Sequence, residues 1–160
     1  MKETGDHGTI NSWGRDRFWH PNYNIMTQIT NEKPALILAD VVEPIIIRHN
    51  RLRCDRGWDI DLDDGSSNYQ IYNNLCLNGG IKLREGFYRT VENNIIVNNT
   101  LHPHLWFKNS GDVFSRNIVM TKYKPISVRG WGREVDYNIF ADSLAYLAAV
   151  SYTHLTLPTS

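Results

Sequence analysis

Apolar residues recur along the chain at i and i+2 within short segments, and the segments repeat at a nearly constant interval. The pairs are Ile60/Leu62, Ile81/Leu83, Leu105/Phe107 and Ile126/Val128, spaced 21, 24 and 21 residues apart. Alternation of this kind predicts short strands with one buried face. An asparagine ahead of a short apolar stretch recurs in phase with them. These are Asn50, Asn74, Asn94, Asn117 and Asn138, at spacings of 24, 20, 23 and 21. Glycine or asparagine bounds nearly every segment and supplies turns that need positive φ. No stretch before Leu144 sustains a 3.6-residue period, so helices are not expected. The pattern predicts an all-β solenoid of about four to five coils, its asparagines stacked as a hydrogen-bonded ladder at one corner.

With Ile60 and Leu62 inward, Asp59, Asp61 and Asp63 of "WDIDLDDG" all point outward. Stacking the coils by their apolar pairs predicts three outward columns. They read Asp59–Gly80–His104–Pro125, Asp61–Lys82–Trp106–Ser127 and Asp63–Arg84–Lys108–Arg129. Coils lie about 4.8 Å apart and i, i+2 residues about 6.7 Å apart, which sets Asp61 beside Lys82 and Asp63 beside Arg84. A surface ion-pair ladder explains part of this, each pair contributing less than about 1 kcal/mol. It leaves one carboxylate over, and crowded carboxylates raise one pKa and furnish a proton donor.

Glycosidases use one such acid and one ionised carboxylate, about 6.5–9.5 Å apart when inverting and about 5 Å apart when retaining. The spacing leaves both courses open. Asp61 and Asp63 are the leading catalytic pair, with Asp59, Asp64 and Glu85 in reserve. Trp106 offers a ring to a sugar face, while Lys82 and His104 are further substrate contacts. Arg84, Lys108 and Arg129 suit a uronate or a sulfate. "HPH" pairs His102 with His104, but no third ligand accompanies them, so no metal site is assigned.

The segment "GDHGTINSWGRDRFW" concentrates Asp6, His7, Trp13, Arg15, Asp16, Arg17 and Trp19 outside the repeat phase. It reads as a long loop leaving the solenoid and walling the cleft, with Asp6, His7, Arg15 and Arg17 as substrate contacts. The chain then divides into a loop and partial coil (1–33), β-helix coils (34–149) and a tail (150–160). The tail "VSYTHLTLPTS" back-translates to a transposase-end sequencing adaptor and is set aside.

Bulk properties narrow the partners. Seventeen basic residues balance seventeen acidic ones, so no global charge recruits nucleic acid or an anionic membrane. Asp40, Glu43 and Pro44 break the longest apolar run, which is therefore no membrane span. Cys54 and Cys76 lack metal-ligand spacing and read as reduced wall residues. Five tryptophans, several beside charges, suit a flat polar ligand such as a sugar. Phosphate-binding glycine loops, dinucleotide fingerprints and serine nucleophile elbows have no counterpart here.

"GDHGTINSWGRDRFW", "CDRGWDIDLDDGSSNY" and "NGGIKLREGFYR" resemble the right-handed parallel β-helix repeat proteins of the pectate-lyase-like superfamily, of the bacterial, carbohydrate-active type. The resemblance spans roughly residues 5 to 145. It implies a right-handed coil, a carbohydrate substrate and an extracellular or periplasmic setting. The activity it implies is first a glycoside hydrolase. A polysaccharide lyase is the alternative, with a Lys, Arg, His or Tyr base and a Ca²⁺ ion that Asp59, Asp61 and Asp63 would hold. A non-catalytic glycan-binding or structural solenoid is the third reading.

Overall fold

The computed structural model describes residues 7–121 and 133–141. Asp6, Arg129, the Ile126/Val128 pair with its neighbours Pro125 and Ser127, and the tail 150–160 lie outside the described residues. The first turn comprises β1 (Gly8–Trp13), helix α1 (Tyr23–Glu32), a 3₁₀ turn (Pro34–Leu38), β2 (Ile45–Arg48) and β3 (Arg51–Leu52). The second holds β4 (Trp58–Asp63), β5 (Tyr69–Tyr72) and β6 (Leu75–Cys76). The third holds β7 (Ile81–Leu83), β8 (Arg89–Glu92) and β9 (Ile95–Ile96). Then follow β10 (Leu101–Pro103), β11 (Val113–Ser115) and β12 (Ile118–Val119), and after them β13 (Glu134–Asp136) and β14 (Ile139–Phe140).

Each of the first four turns gives one strand to each of three parallel sheets, and β13 and β14 extend two of them, in the orders β1-β4-β7-β10, β13-β11-β8-β5-β2 and β14-β12-β9-β6-β3. This is a parallel β-helix, as the repeat predicts. Inward residues stack by kind. One column runs Ile47, Ile71, Val91, Phe114, Val135, and another Leu52, Cys76, Ile96, Val119, Phe140. All belong to one continuous apolar core. Cys54 and Cys76 are free and buried, as the sequence suggests.

The asparagine ladder is present. Each Oδ1 accepts from both the backbone N–H and the side-chain amide of the asparagine one coil earlier, from Asn74 through Asn138, at 2.9–3.1 Å. The preceding residue turns the corner at positive φ: His49, Asn73, Asn93, Arg116 and Tyr137. Asn94 also donates to the carbonyls of Ile71 and Glu92. An Asn94→Ala substitution would strip buried amides and carbonyls of several partners at once. We expect it to cost about 2–4 kcal/mol, measured by urea unfolding.

Three expectations need correction. Gly8–Trp13 is not a loop but the first strand, in register with β4 through Ile10↔Ile60 and Ser12↔Leu62. A polar residue in the second inward position hid it. Ser12 accepts from the Tyr69 hydroxyl at 2.7 Å and from Ser66 at 3.0 Å, so its hydroxyl is satisfied. Second, α1 is helical despite a run of asparagine, threonine and isoleucine with weak helix propensity. Asn22 caps it, and Met26 and Thr30 face inward. Third, Leu101 and Pro103, not Leu105 and Phe107, lie opposite Ile81 and Leu83. The pair thus lies four residues earlier in the chain than expected, and the loop that follows it is correspondingly longer than its counterparts.

Candidate functional site

The corrected register redraws the outward columns. One reads Asn11, Asp61, Lys82, His102. The next reads Trp13, Asp63, Arg84, His104, the backbone bonds of Arg84 to Leu62 and of His104 to Leu83 continuing the ladder. Trp106 is thereby removed from any outward column. It is fully buried in the core, and Phe107 joins a second apolar cluster. Lys108 is exposed on the β10–β11 loop, and His104, not Lys108, follows Arg84 in its column.

The aspartates of β4 have separate tasks. Asp59 faces a turn, where its carboxylate accepts backbone N–H groups from Cys54, Asn78, Gly79 and Gly80 at 2.6–3.2 Å. Burial outweighs those bonds and pushes its carboxyl above the ordinary range. Asp61 is 1% exposed and paired with Lys82 Nζ at 3.0 Å. Lys82 also reaches Asp63 Oδ2 at 3.2 Å and lies over the Trp58 ring. Neither Asp59 nor Asp61 lines the cavity described next.

Where the first sheet turns toward the second, a cavity of about 330 Å³ opens. Asp63, Asp64, Arg84 and Glu85 form one wall; Trp13, Arg15 and Trp19 form another; Pro21, Tyr23, Met26 and Leu105 complete it. Arg84 binds all three carboxylates. Its Nη1 lies 3.2 Å from Asp63 and 3.3 Å from Asp64, and its Nε donates to Glu85 at 2.8 Å. Asp64 also accepts from the Trp13 indole and from Arg15 Nε at 3.1 Å. Trp19 donates its indole N–H to Glu85 at 3.2 Å.

The far wall is held by aromatic packing. Phe87 stacks on Phe107 and Phe107 on Tyr23, each at 4.8 Å, and Phe18 meets Phe87 edge-on at 5.4 Å. This cluster docks α1 against the loops after β7 and β10. Gly65, at φ +86°, lies so close to the Trp19 ring that a Cβ there would stand 2.9 Å from it. Beneath the loops, Arg89 and Asp112 form a fully buried pair, and Arg89 Nη1 also donates to the carbonyls of Ser66 and Arg84.

The environments of the wall carboxyls differ. Burial pushes Glu85, 3% exposed, above the ordinary carboxylate range despite Arg84 and Trp19. Burial acts in the same direction on Asp63, but Lys82 and Arg84 together outweigh it and hold that carboxyl below its usual range. His104 is held below its usual value by burial, Arg84 and Lys82, but lies outside the cavity lining.

Five of the sequence-predicted residues therefore meet: Asp63, Asp64, Arg84, Glu85 and Arg15. His7 is exposed at the opposite end of β1 from Trp13. Arg17 bonds Asp40 outside the cavity. Tyr23 and Met26 come from the helix that was not foreseen; their three-residue spacing in "FWHPNYNIM" was the available signal. Among the described residues, no group of three or more His, Cys, Asp or Glu side chains is placed to hold a metal ion. No helix among the described residues is long and apolar enough to cross a membrane. The sequence matches no family model, no curated protein and no solved structure.

Proposed function

We propose that the chain is part of a carbohydrate-active β-helix enzyme, a glycoside hydrolase, in which Glu85 is the general acid and Asp63 its ionised partner. One observation carries the reading. Two carboxyls on one cavity wall are driven in opposite directions, Glu85 up by burial and Asp63 down by Lys82 and Arg84. Divergent carboxyls of this kind divide the roles of acid and base. Glu85 gives its proton to the glycosidic oxygen as the bond to the anomeric carbon breaks. Asp63 either takes a proton from the attacking water or attacks the anomeric carbon itself, the inverting and retaining courses. The sequence-level preference for Asp61 shifts to Glu85 because Asp61 is buried against Lys82, away from the cavity.

The pectate-lyase-like kinship, the bacterial source and the extracellular or periplasmic setting belong to the same proposal. Its test is the pH profile of kcat/KM on alkyl glycosides, whose leaving group must be protonated. Activity needs Asp63 ionised and Glu85 protonated. The acid limb should fall below the ordinary carboxylate range and the basic limb above it, giving a plateau between. A single limb, rising to alkaline pH without decline, would sink the assignment of Glu85 as proton donor.

A further inference from the structure

We infer that Arg15 is a specificity residue of the cavity, gripping an oxyanion carried by the sugar ring, a carboxylate or a sulfate ester. This rests on the saccharide reading of the same cavity. Arg15 is held from several sides. Its backbone N–H donates to the Asp64 carbonyl at 2.6 Å, and its Nε donates to the Asp64 carboxylate at 3.1 Å. Its guanidinium lies over two indoles, 3.9 Å from the Trp13 ring centre and 4.8 Å from that of Trp19. What these contacts leave over is the outer edge of the fork. Neither Nη1 nor Nη2 has a partner among the described residues, although the side chain is 49% exposed and lines the cavity.

A guanidinium edge of this kind offers parallel N–H donors that match two oxygens of a carboxylate or a sulfate. Because the group is already fixed on Asp64 and the indoles, little further freedom is lost when a ligand closes on it. A hydroxyl in the same place would offer one acceptor oxygen and no charge, which makes a weaker bond. The lining does not repel an anion. With Glu85 protonated, as its role of acid requires, two cations face two ionised carboxylates, Asp63 and Asp64. Both are covered: Asp64 by Arg84 and the Trp13 indole as well as Arg15, and Asp63 by Lys82 and Arg84. A ligand on the Nη edge leaves Nε on Asp64 and takes no cation from either. It also sets the ring in place. Trp19 lies under the Arg15 guanidinium and donates its indole N–H to Glu85 at 3.2 Å, so the gripped group lies one indole's breadth from the proposed acid. The anion contact that the sequence assigns to Arg84 and Lys108 thus moves to Arg15. Arg84 shares Nε and Nη1 among three carboxylates, and Lys108 is absent from the lining.

The experiment is binding of matched monosaccharides to the full chain, followed by ligand-observed NMR. Glucose, galactose and mannose are each set beside their uronate and their 6-O-sulfate. For at least one ring, the uronate or the sulfate should bind about tenfold or more tightly than the neutral sugar. Arg15→Gln should abolish that preference. Arg15→Lys, which keeps the charge but not the fork, should cut it about threefold or more. A preference for the uronate or for the sulfate identifies the oxyanion, and either supports the inference. Anionic binding without turnover of the matching glycosides would support the inference while removing the hydrolase reading. Neutral rings bound as tightly as anionic ones, or a preference undiminished in either variant, would overturn it and leave the hydrolase reading standing. No binding to any of these sugars would overturn it as well.

Discussion

Arg89→Met should destabilise the fold by about 3–5 kcal/mol, the range for removing one partner of a buried ion pair. Arg89 and Asp112 are both 0% exposed. The Arg89 backbone N–H and Nε each donate to Asp112 Oδ1 at 2.8 Å, and Nη2 donates to Oδ2. Nη1 adds the carbonyls of Ser66 and Arg84. Methionine fills the volume but strands the Asp112 carboxylate and both carbonyls. Replacing both partners, as Arg89→Met with Asp112→Leu, should recover part of the loss, because the stranded charge goes with its partner while the backbone N–H of residue 89 and both carbonyls stay unpaired. Guanidinium unfolding of the three variants checks this. A single-variant loss below about 1 kcal/mol would mean that the pair is not closed off from water.

The second large effect falls on turnover. Glu85→Gln and Asp63→Asn should each lower kcat/KM by about 100-fold or more on a glycoside with a poor leaving group. Each amide keeps the shape and removes the titrating group. Asp61→Asn serves as contrast. Asp61 pairs with Lys82 behind the wall, so its loss should reduce stability more than turnover. Kinetics and thermal unfolding of the three variants, measured together, separate chemistry from packing. Equal turnover losses at positions 61 and 85 would return the site to the aspartate strand alone.

Much of the fold was legible because a solenoid repeats its constraints. Five asparagines in phase, and Ile60/Leu62 with Ile81/Leu83, each state the same geometry again. The misses fell where a single residue broke the phase for a local reason. Ser12 occupies an inward position by bonding Tyr69 and Ser66, which period-two hydrophobicity does not register. Pro103 sits opposite Leu83 in the pairing that moved Trp106 from a sugar platform into the core. The acidic strand borders the cavity through Asp63 and Asp64, but its alternation could not show that Asp59 caps a turn and Asp61 is covered. Glu85 stood only in reserve on sequence, because the Trp19 and Arg84 contacts that mark it out span 66 residues and one residue respectively.

The most direct test of the Glu85 assignment varies the leaving group. A 2,4-dinitrophenolate departs without protonation, whereas an alkoxide does not. Wild-type and Glu85→Gln protein should therefore differ in kcat/KM by about 100-fold or more on an alkyl glycoside and by less than about fivefold on the 2,4-dinitrophenyl glycoside of the same sugar. Equal losses on both substrates would contradict the account, since a residue that donates no proton cannot discriminate between them.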